Sequence, residues 1–232
     1  MAEPTLLREQ REGVLTLTLN RPDKLNAIDH ALARQLLQAV GEGGASDSVR
    51  ALRLRGRGRA FCAGRDLGAA PTDEDLVLVQ AVAQAIVRCP KPVVAEVHGW
   101  TVGAGLEWML DADVVVAARS TRFKLPEASL GVFVTGGLSA TLPAAVGLAR
   151  AKALALLCDD FTAEQALAWG LVWQVVPDEG LDAAAWDIAL RLAALAPTVA
   201  AAFKRVFHQI GLTAFDQAID AESAAQRGLA RP

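Results

Sequence analysis

Glu107 is a carboxylate inside an apolar run, with Leu106, Trp108 and Met109 beside it. A segment without a polar face gives such a side chain no path to water. Burying an ionised carboxylate costs on the order of several kcal/mol unless it is paired, hydrogen-bonded or protonated. Catalysis is one reason to keep such a residue. A structural salt bridge is the alternative that the local sequence leaves open.

Two turns of small residues are candidates for binding a developing negative charge. Gly103, Ala104 and Gly105 precede the predicted helix that carries Glu107, and the first N–H groups of a helix have no partner within it. The second turn, 63–65 (Ala-Gly-Arg), also follows a strand. Two such donors on one oxygen form an oxyanion hole, in which losing one donor lowers the rate about 100- to 1,000-fold. Either turn taken alone is more typical of an ordinary tight connection.

Glu127 is a second candidate for acid–base chemistry. It follows Pro126 and precedes a glycine-containing turn, so a solvated loop residue is the alternative interpretation. Asp111 lies one helical turn after Glu107, and two carboxylates at that spacing raise each other's pKa.

The remaining reactive side chains give weaker signals. Cys62 is predicted to be a packed apolar residue because no histidine lies near it in the sequence. Trp169 and Trp173 are predicted to be core residues. Four arginines alternate with other residues, which suits either phosphate binding or a solvated face: Arg53, Arg55, Arg57 and Arg59.

The composition predicts one sizeable cytoplasmic domain. The chain has 232 residues, is 53% hydrophobic and carries a net charge of −3, so no global charge favours nucleic acid or anionic lipid. We expect neither a signal peptide nor a transmembrane segment. Three distant cysteines and three single histidines indicate a reducing compartment and no metal site.

Short strands alternate with helices, which predicts crossover units and a largely parallel α/β arrangement. Predicted strands lie at 13–19, 51–55, 93–97, 113–117, 122–124 and 171–176. Predicted helices begin near Ala31 and Gly103 and lie at 74–88, 138–146, 150–157 and 163–169. Residues 41–48 are predicted to be a turn, 68–75 a surface loop and 131–137 a flexible connection. From Gly180 onward the chain is predicted to be helical, with breaks at Pro197 and near Gly211.

Five segments in this order resemble the crotonase superfamily, the enoyl-CoA hydratase/isomerase family. They are LNRPDKLNAI (19–28), RAFCAGRDL (59–67), KPVVAEVHGWTVGAGLE (91–107), LPEASLG (125–131) and ALAWGLVWQVVP (166–177). They span nearly the whole chain, and their combination is far more specific than either glycine turn alone.

The resemblance implies a spiral of ββα units at 1–178 and a helical, shortened C-terminal trimerisation region at 179–232. It implies an acyl-CoA thioester bound to the backbone N–H groups of Arg65 and Ala104, with Glu107 and Glu127 as catalytic residues. Hydration of a 2-enoyl-CoA is the implied activity, with CoA entering as part of the substrate and no other cofactor. A homotrimer or dimer of trimers is the implied assembly. Further residues implied to contact the substrate or its CoA are Lys24, Leu25, Ala63, Asp66, Leu67, Gly103 and Val132.

Departures from the family pattern keep other activities open. Ala104 stands where many members have glycine, which would strain a position requiring a positive φ. The segment 68–78 is shorter than in most members, and a chain ending at Pro232 implies that a helix covering the acyl site is shortened. The alternatives are a Δ3,Δ2-enoyl-CoA isomerase that uses Glu127 alone, another lyase or hydrolase of the superfamily, and an RNA-binding or scaffold homologue.

Overall fold

The computed structural model describes residues 3–68 and 72–229. In chain order the strands there are β1 (Leu6–Arg11), β2 (Val14–Leu19), β3 (Ala51–Gly56), β4 (Val93–Val97), β5 (Trp100–Val102), β6 (Val114–Ala118), β7 (Arg122–Lys124), β8 (Phe161–Thr162) and β9 (Gln174–Val176). The helices are α1 (His30–Ala45), α2 (Asp73–Arg88), α3 (Ala104–Leu110), α4 (Leu138–Val146), α5 (Leu148–Leu157), α6 (Ala163–Trp169), α7 (Leu181–Ala193), α8 (Pro197–Gly211) and α9 (Phe215–Leu229).

A six-stranded sheet in the order β1-β2-β3-β4-β6-β9 forms the centre of the fold. Strands β1 and β2 pair antiparallel, and every later pair in this sheet is parallel. All five residues of β4 are buried, as expected of a parallel strand covered on both faces. The prediction of crossover units with a largely parallel sheet is therefore confirmed.

Helices cover the two faces of this sheet unequally. Leu52 and Leu54 of β3 point into a large core that also contains α1, α2 and α3. The opposite face packs on α7 through a smaller cluster that includes Val94, Val116 and Ile188. The predicted division of the chain into two parts, 1–178 and 179–232, stays a prediction.

A second sheet, in the order β5-β7-β8, lies beside the segment that carries the candidate chemistry. Strand β5 pairs parallel with β7, and β7 pairs antiparallel with β8. Neither β5 nor β8 is predicted from sequence, whereas β7, which like β5 is three residues long, is predicted at 122–124. The pairing of β5 with β7 sets the strand before Gly103 against the strand before Glu127.

The predicted turn at 41–48 is wrong over its first five residues, because α1 continues to Ala45. A glycine inside a helix costs about 1 kcal/mol relative to alanine. The helix nevertheless buries Leu36, Val40 and Gly43 against the core, so tertiary packing outweighs local preference.

The predicted loop at 68–75 falls partly on 69–71, outside the described residues, and Thr72 and Asp75 form a capping box at the start of α2.

Arg53 does not lie on a solvated face. Its side chain is buried, and its Nε donates to Oε2 of the buried Glu96 at 2.6 Å. Asp182 at the start of α7 binds the same guanidinium and accepts from Arg55 Nη1 at 2.6 Å. These ion pairs join the sheet to α7, which local sequence does not reveal.

Trp173 is not a core residue, since 71% of it is exposed, whereas its neighbour Val172 is buried. Strand β1 is missing from the predicted elements because most of it is exposed and charged, so it lacks an apolar alternation. The helical region after Gly180 is confirmed as α7, α8 and α9, separated at Pro197 and near Gly211.

Among the described residues no single helix is long and apolar enough to cross a membrane. Only the bent pair 178–193 and 197–211 together reaches that length, with a 105° bend between them.

Candidate active site

The turn 63–65 lies between two neighbouring segments that fix its place. On one side Ile28 and Arg65 form a parallel bridge, and the Ile28 N–H donates to the Gly64 carbonyl at 2.7 Å. On the other side the Val102 N–H donates to the Cys62 carbonyl at 2.9 Å. The turn is thus held against the end of β5.

The two predicted oxyanion donors lie on adjacent pieces of backbone. A methyl group at Gly64 would come within 3.7 Å of the Ala104 nitrogen. Gly103 has φ +52° and ψ −127°, and it places Ala104 as the first residue of α3. The positive φ falls on Gly103, so the expected backbone strain at Ala104 does not arise. The Ala104 N–H belongs to the first turn of α3 and has no acceptor within that helix.

Glu107 is hydrogen-bonded and not salt-bridged among the described residues. It is 1% exposed, and its Oε1 accepts from the Thr135 N–H at 3.1 Å. The Thr135 hydroxyl lies 3.5 Å from its Oε2, and the Gly136 N–H also donates to the carboxylate. The expected "flexible connection" at 131–137 therefore supplies the partners of Glu107.

Glu127 turns inward and does not behave as a solvated loop residue. A methyl group at Gly103 would lie 2.5 Å from Glu127 Oε1, so this carboxylate rests against the start of α3. Its Oε2 is buried and has no hydrogen-bond partner in the described part of the chain. The backbone carbonyl of Glu127 accepts from the N–H groups of Leu130 and Val132, both at 3.0 Å, which fixes the turn that follows.

Burial raises the pKa of three carboxyls, and the charges of neighbouring carboxylates raise the pKa of two of them further. For Glu107 the largest cause of the raised pKa is burial, followed by the charges of Glu127 and Glu222. Burial raises the pKa of Glu127 to about 7. Burial, and then Glu107 and Glu222, raise the pKa of Asp111, whose two carboxyl oxygens have no hydrogen-bond partner among the described residues. A carboxyl with a pKa of about 7, such as that of Glu127, can hold a proton near neutral pH and pass it on.

The residues predicted to contact the CoA lie along one edge of this site. The Ala63 N–H donates to the Leu25 carbonyl at 3.0 Å, and the Asp66 N–H to the Ile28 carbonyl at 2.8 Å. Lys24 is exposed, and its charge helps to lower the pKa of Asp66, after the hydrogen bonds from Gly68 and Arg21. Leu67 is 66% exposed and lies at the rim. The structure thus brings together the two turns, the two glutamates and the segment that begins at Lys24.

Asn26 is a site-building residue that the sequence interpretation missed. It is fully buried at φ +56°, and its amide nitrogen donates to the carbonyls of Arg57 at 2.9 Å and Ala60 at 2.8 Å. Its side-chain Oδ1 accepts from the Arg21 N–H at 2.9 Å. Asn26 therefore ties the segment that contains Lys24 to the segment that leads into 63–65. The available signal was an asparagine in a turn, the residue type after glycine that most readily adopts positive φ.

Thr135 and Glu222 are two further residues that the sequence interpretation missed. Glu222 is completely buried on α9, and it accepts from the Gly137 N–H and the Ser139 N–H, each at 2.8 Å. Helix α9 packs against α4, so a C-terminal helix does lie beside the site. No local pattern marks Glu222, because its partners are more than 80 residues away in the chain.

Cys62 is a buried packed residue, as predicted. Burial raises the pKa of its thiol to about 12, and its Sγ donates to the Asn26 carbonyl at 3.2 Å. Within residues 3–68 and 72–229 no three His, Cys, Asp or Glu side chains are grouped so that they could hold a metal ion.

Comparison with known proteins identifies the family of this chain. The family model described as enoyl-CoA hydratase/isomerase matches residues 9–229. The chain is 36% identical to the 1,2-epoxyphenylacetyl-CoA isomerase of Escherichia coli K12, over 96% of this chain and 88% of that protein. It is 35% identical to the 2,3-dehydroadipyl-CoA hydratase of the same organism, over 100% of this chain and 88% of that protein.

Solved structures give the same result for the fold. An enoyl-CoA hydratase from Mycobacterium avium subsp. paratuberculosis K-10 superposes with a TM-score of 0.93 at 32% identity, covering 98% of this chain and 91% of that chain. An enoyl-CoA hydratase from Mycobacterium smegmatis gives 0.86 at 31% identity, with 98% of both chains covered. With a family match over nearly its whole length and these relatives, the chain belongs to the enoyl-CoA hydratase/isomerase family of the crotonase superfamily.

Proposed function

We propose that this chain hydrates a 2-enoyl-CoA thioester by syn addition of water across the 2,3 double bond. The observation that carries the proposal is the pair Glu107 and Glu127, two largely buried carboxylates with raised pKa values: Glu107 lies in the helix that begins at Ala104, and Glu127 rests against Gly103. Two acids in one site can remove a proton from water and deliver a proton to carbon.

The thioester oxygen is proposed to accept hydrogen bonds from the N–H groups of Arg65 and Ala104. Negative charge builds on that oxygen as an enolate forms, and fixed donors stabilise it without reorganising. The adjacency of Gly64 and the Ala104 nitrogen supports this placement, since one oxygen has to reach both donors.

The two glutamates are proposed to hold one water beside the double bond. One carboxylate removes a proton as the water oxygen bonds to C3, and a proton from the pair then reaches C2. Because the two groups repel each other, their protons belong to the pair and not to one residue. Hydration changes no oxidation state overall, so the proposed reaction requires no redox cofactor.

The CoA is proposed to lie along Lys24, Leu25, Ala63, Asp66 and Leu67. A homotrimer or dimer of trimers is the proposed assembly. It is supported by five large apolar residues that α8 exposes, which another copy of the chain would cover: Val199, Phe203, Val206, Phe207 and Ile210.

A turnover screen over short, medium and aromatic 2-enoyl-CoA thioesters tests the hydratase proposal. We expect loss of the enoyl-thioester absorbance with at least one of them. Glu107→Gln and Glu127→Gln should each lower kcat by about 100-fold or more, on the scale of general acid–base catalysis. If the wild-type protein leaves every thioester in the panel unchanged, the hydratase proposal is wrong.

Isomerisation of a 3-enoyl-CoA is the second candidate, and the asymmetry between the two carboxylates favours it. Glu107 is held by N–H donors, whereas Glu127 has one oxygen without a partner among the described residues and a pKa of about 7. A single base of that kind can carry a proton between C2 and C4. Under this alternative Glu107→Gln keeps most of the activity, whereas under the hydratase proposal it does not.

A further inference from the structure

We propose that Glu222 on α9 is a positioning residue that fixes the carboxylate of Glu107 through the segment 135–139. The proposal rests on the proposed function insofar as Glu107 is the group being positioned. It adds a residue from a helix outside the two turns and the two glutamates.

Glu222 binds one end of the 135–139 segment with three hydrogen bonds. Its Oε2 accepts from the Gly137 N–H at 2.8 Å. Its Oε1 accepts from the Ser139 N–H at 2.8 Å and from the Ser139 hydroxyl at 2.6 Å. These donors lie at the start of the nine-residue helix α4, where a negative charge is favourable. Since Glu222 is completely buried, no water competes for these bonds.

The other end of the same segment binds Glu107. The Thr135 N–H donates to Glu107 Oε1 at 3.1 Å, and the Gly136 N–H donates to the carboxylate as well. Gly136 and Gly137 are consecutive, so a shift of one peptide moves the other. Five residues of backbone thus connect two carboxylates, one on α3 and one on α9.

Side-chain packing also restrains the segment. The ring of Phe215, the first residue of α9, lies against Gly137, and Phe215 is 5% exposed. A methyl group at Gly136 would lie 2.5 Å from Glu107 Oε2, so the backbone is already in close contact with that carboxylate. The position of Glu107 therefore depends on where α9 holds Gly137 and Ser139.

Glu222→Ala and Ser223→Ala form a matched pair of variants on α9. Glu222→Ala removes all three bonds to the segment. Ser223→Ala removes the bond from Gln80 Nε2 to the Ser223 hydroxyl, 2.8 Å, which docks the same helix without touching 135–139. We expect Glu222→Ala to lower kcat about 100-fold with little change in KM, since a displacement near 1 Å has that effect on a reacting group. Ser223→Ala should keep the wild-type kcat.

Glu222→Gln provides a graded test. Its amide keeps one oxygen acceptor but presents an NH2 group to a backbone donor, so its kcat should lie between those of the wild type and Glu222→Ala. If α9 merely stabilises the fold, kcat will follow the melting temperature across all three variants, and the positioning proposal is then refuted.

Amide hydrogen exchange judges the proposal independently of turnover. Glu222→Ala should accelerate exchange at Thr135 and Gly136, and Ser223→Ala should not. Unchanged protection at these two amides would overturn the proposal even in an active enzyme. Accelerated exchange in a protein that turns over none of the thioesters would support the positioning contact while the hydratase proposal fails.

Discussion

At Gly136 a single added methyl group can test the geometry of the proposed catalytic pair, Glu107 and Glu127. A methyl there would lie 2.5 Å from Glu107 Oε2 and 3.1 Å from Glu107 Cβ. Normal contact would require the carboxylate to move by about 1 Å, and a displacement of that size lowers rates by about 100-fold. Gly136 does not have a positive φ, so Gly136→Ala adds a contact without adding backbone strain.

The expected result is a loss of about 100-fold in kcat for enoyl-CoA hydration. Overpacking of a buried position should also reduce the free energy of unfolding, by about 1–3 kcal/mol. The rate is read from the enoyl-thioester absorbance, and the unfolding free energy from denaturant titration of the same preparations.

Gly131→Ala is the matched control, because it separates lost stability from lost geometry. Gly131 has φ +70°, so alanine is strained there, but a methyl would meet no atom within 4 Å. We expect Gly131→Ala to lower stability by about 1 kcal/mol and to keep the wild-type kcat. If Gly136→Ala also keeps the wild-type kcat, the inference that Glu107 acts from its observed position is wrong.

Three further predictions concern Glu127, Asn26 and Asp111. With a Glu127 pKa of about 7, kcat/KM should change around pH 7, and the residual activity of Glu127→Gln should lack that change; an unaltered profile would assign the titration elsewhere. Asn26→Ala should lower the free energy of unfolding by about 2–4 kcal/mol, because buried carbonyls lose their donor; urea titration measures this, and a loss below 1 kcal/mol would contradict it. The pKa of Asp111 is raised in the folded state, so its contribution to stability is complete below the ordinary value of about 4 and is lost as pH rises through the folded pKa. Asp111→Asn should therefore flatten the decline of stability that begins as pH rises above about 4, and an equal decline in both proteins would show that Asp111 does not contribute to it.

Local sequence was enough to single out Glu107 and the two turns as candidates, but not the residues that hold them. Glu107 stands out because its neighbours are apolar, and the turns stand out because they are small, so each signal lies within a few residues. Thr135 contacts Glu107 across 28 positions, and Glu222 contacts Gly137 across 85. Contacts between residues so far apart in sequence depend on the tertiary fold, which neither hydrophobic periodicity nor composition reveals.

The errors in the predicted elements have the same origin. The glycines after Val40 indicate a turn when taken alone, but the core behind α1 keeps them helical. Arg53, taken with its neighbouring arginines, indicates a solvated face, but in the fold it is buried and forms ion pairs with Glu96 and Asp182. In both cases an element distant in sequence reverses the local preference.

The contact between Glu222 and Ser139 also sets an order of events during synthesis. Ser139 leaves the ribosome before Glu222 exists, and 83 further residues must be added before the carboxylate can reach it. At translation rates of about 5–20 residues per second, that interval is about 4–17 s. Throughout it, the nascent protein can contain both glutamates and both turns and still lack the anchor of the 135–139 segment. If Glu222 positions Glu107 as proposed, completion of α9 is the step that fixes the Glu107 carboxylate in a nearly folded chain.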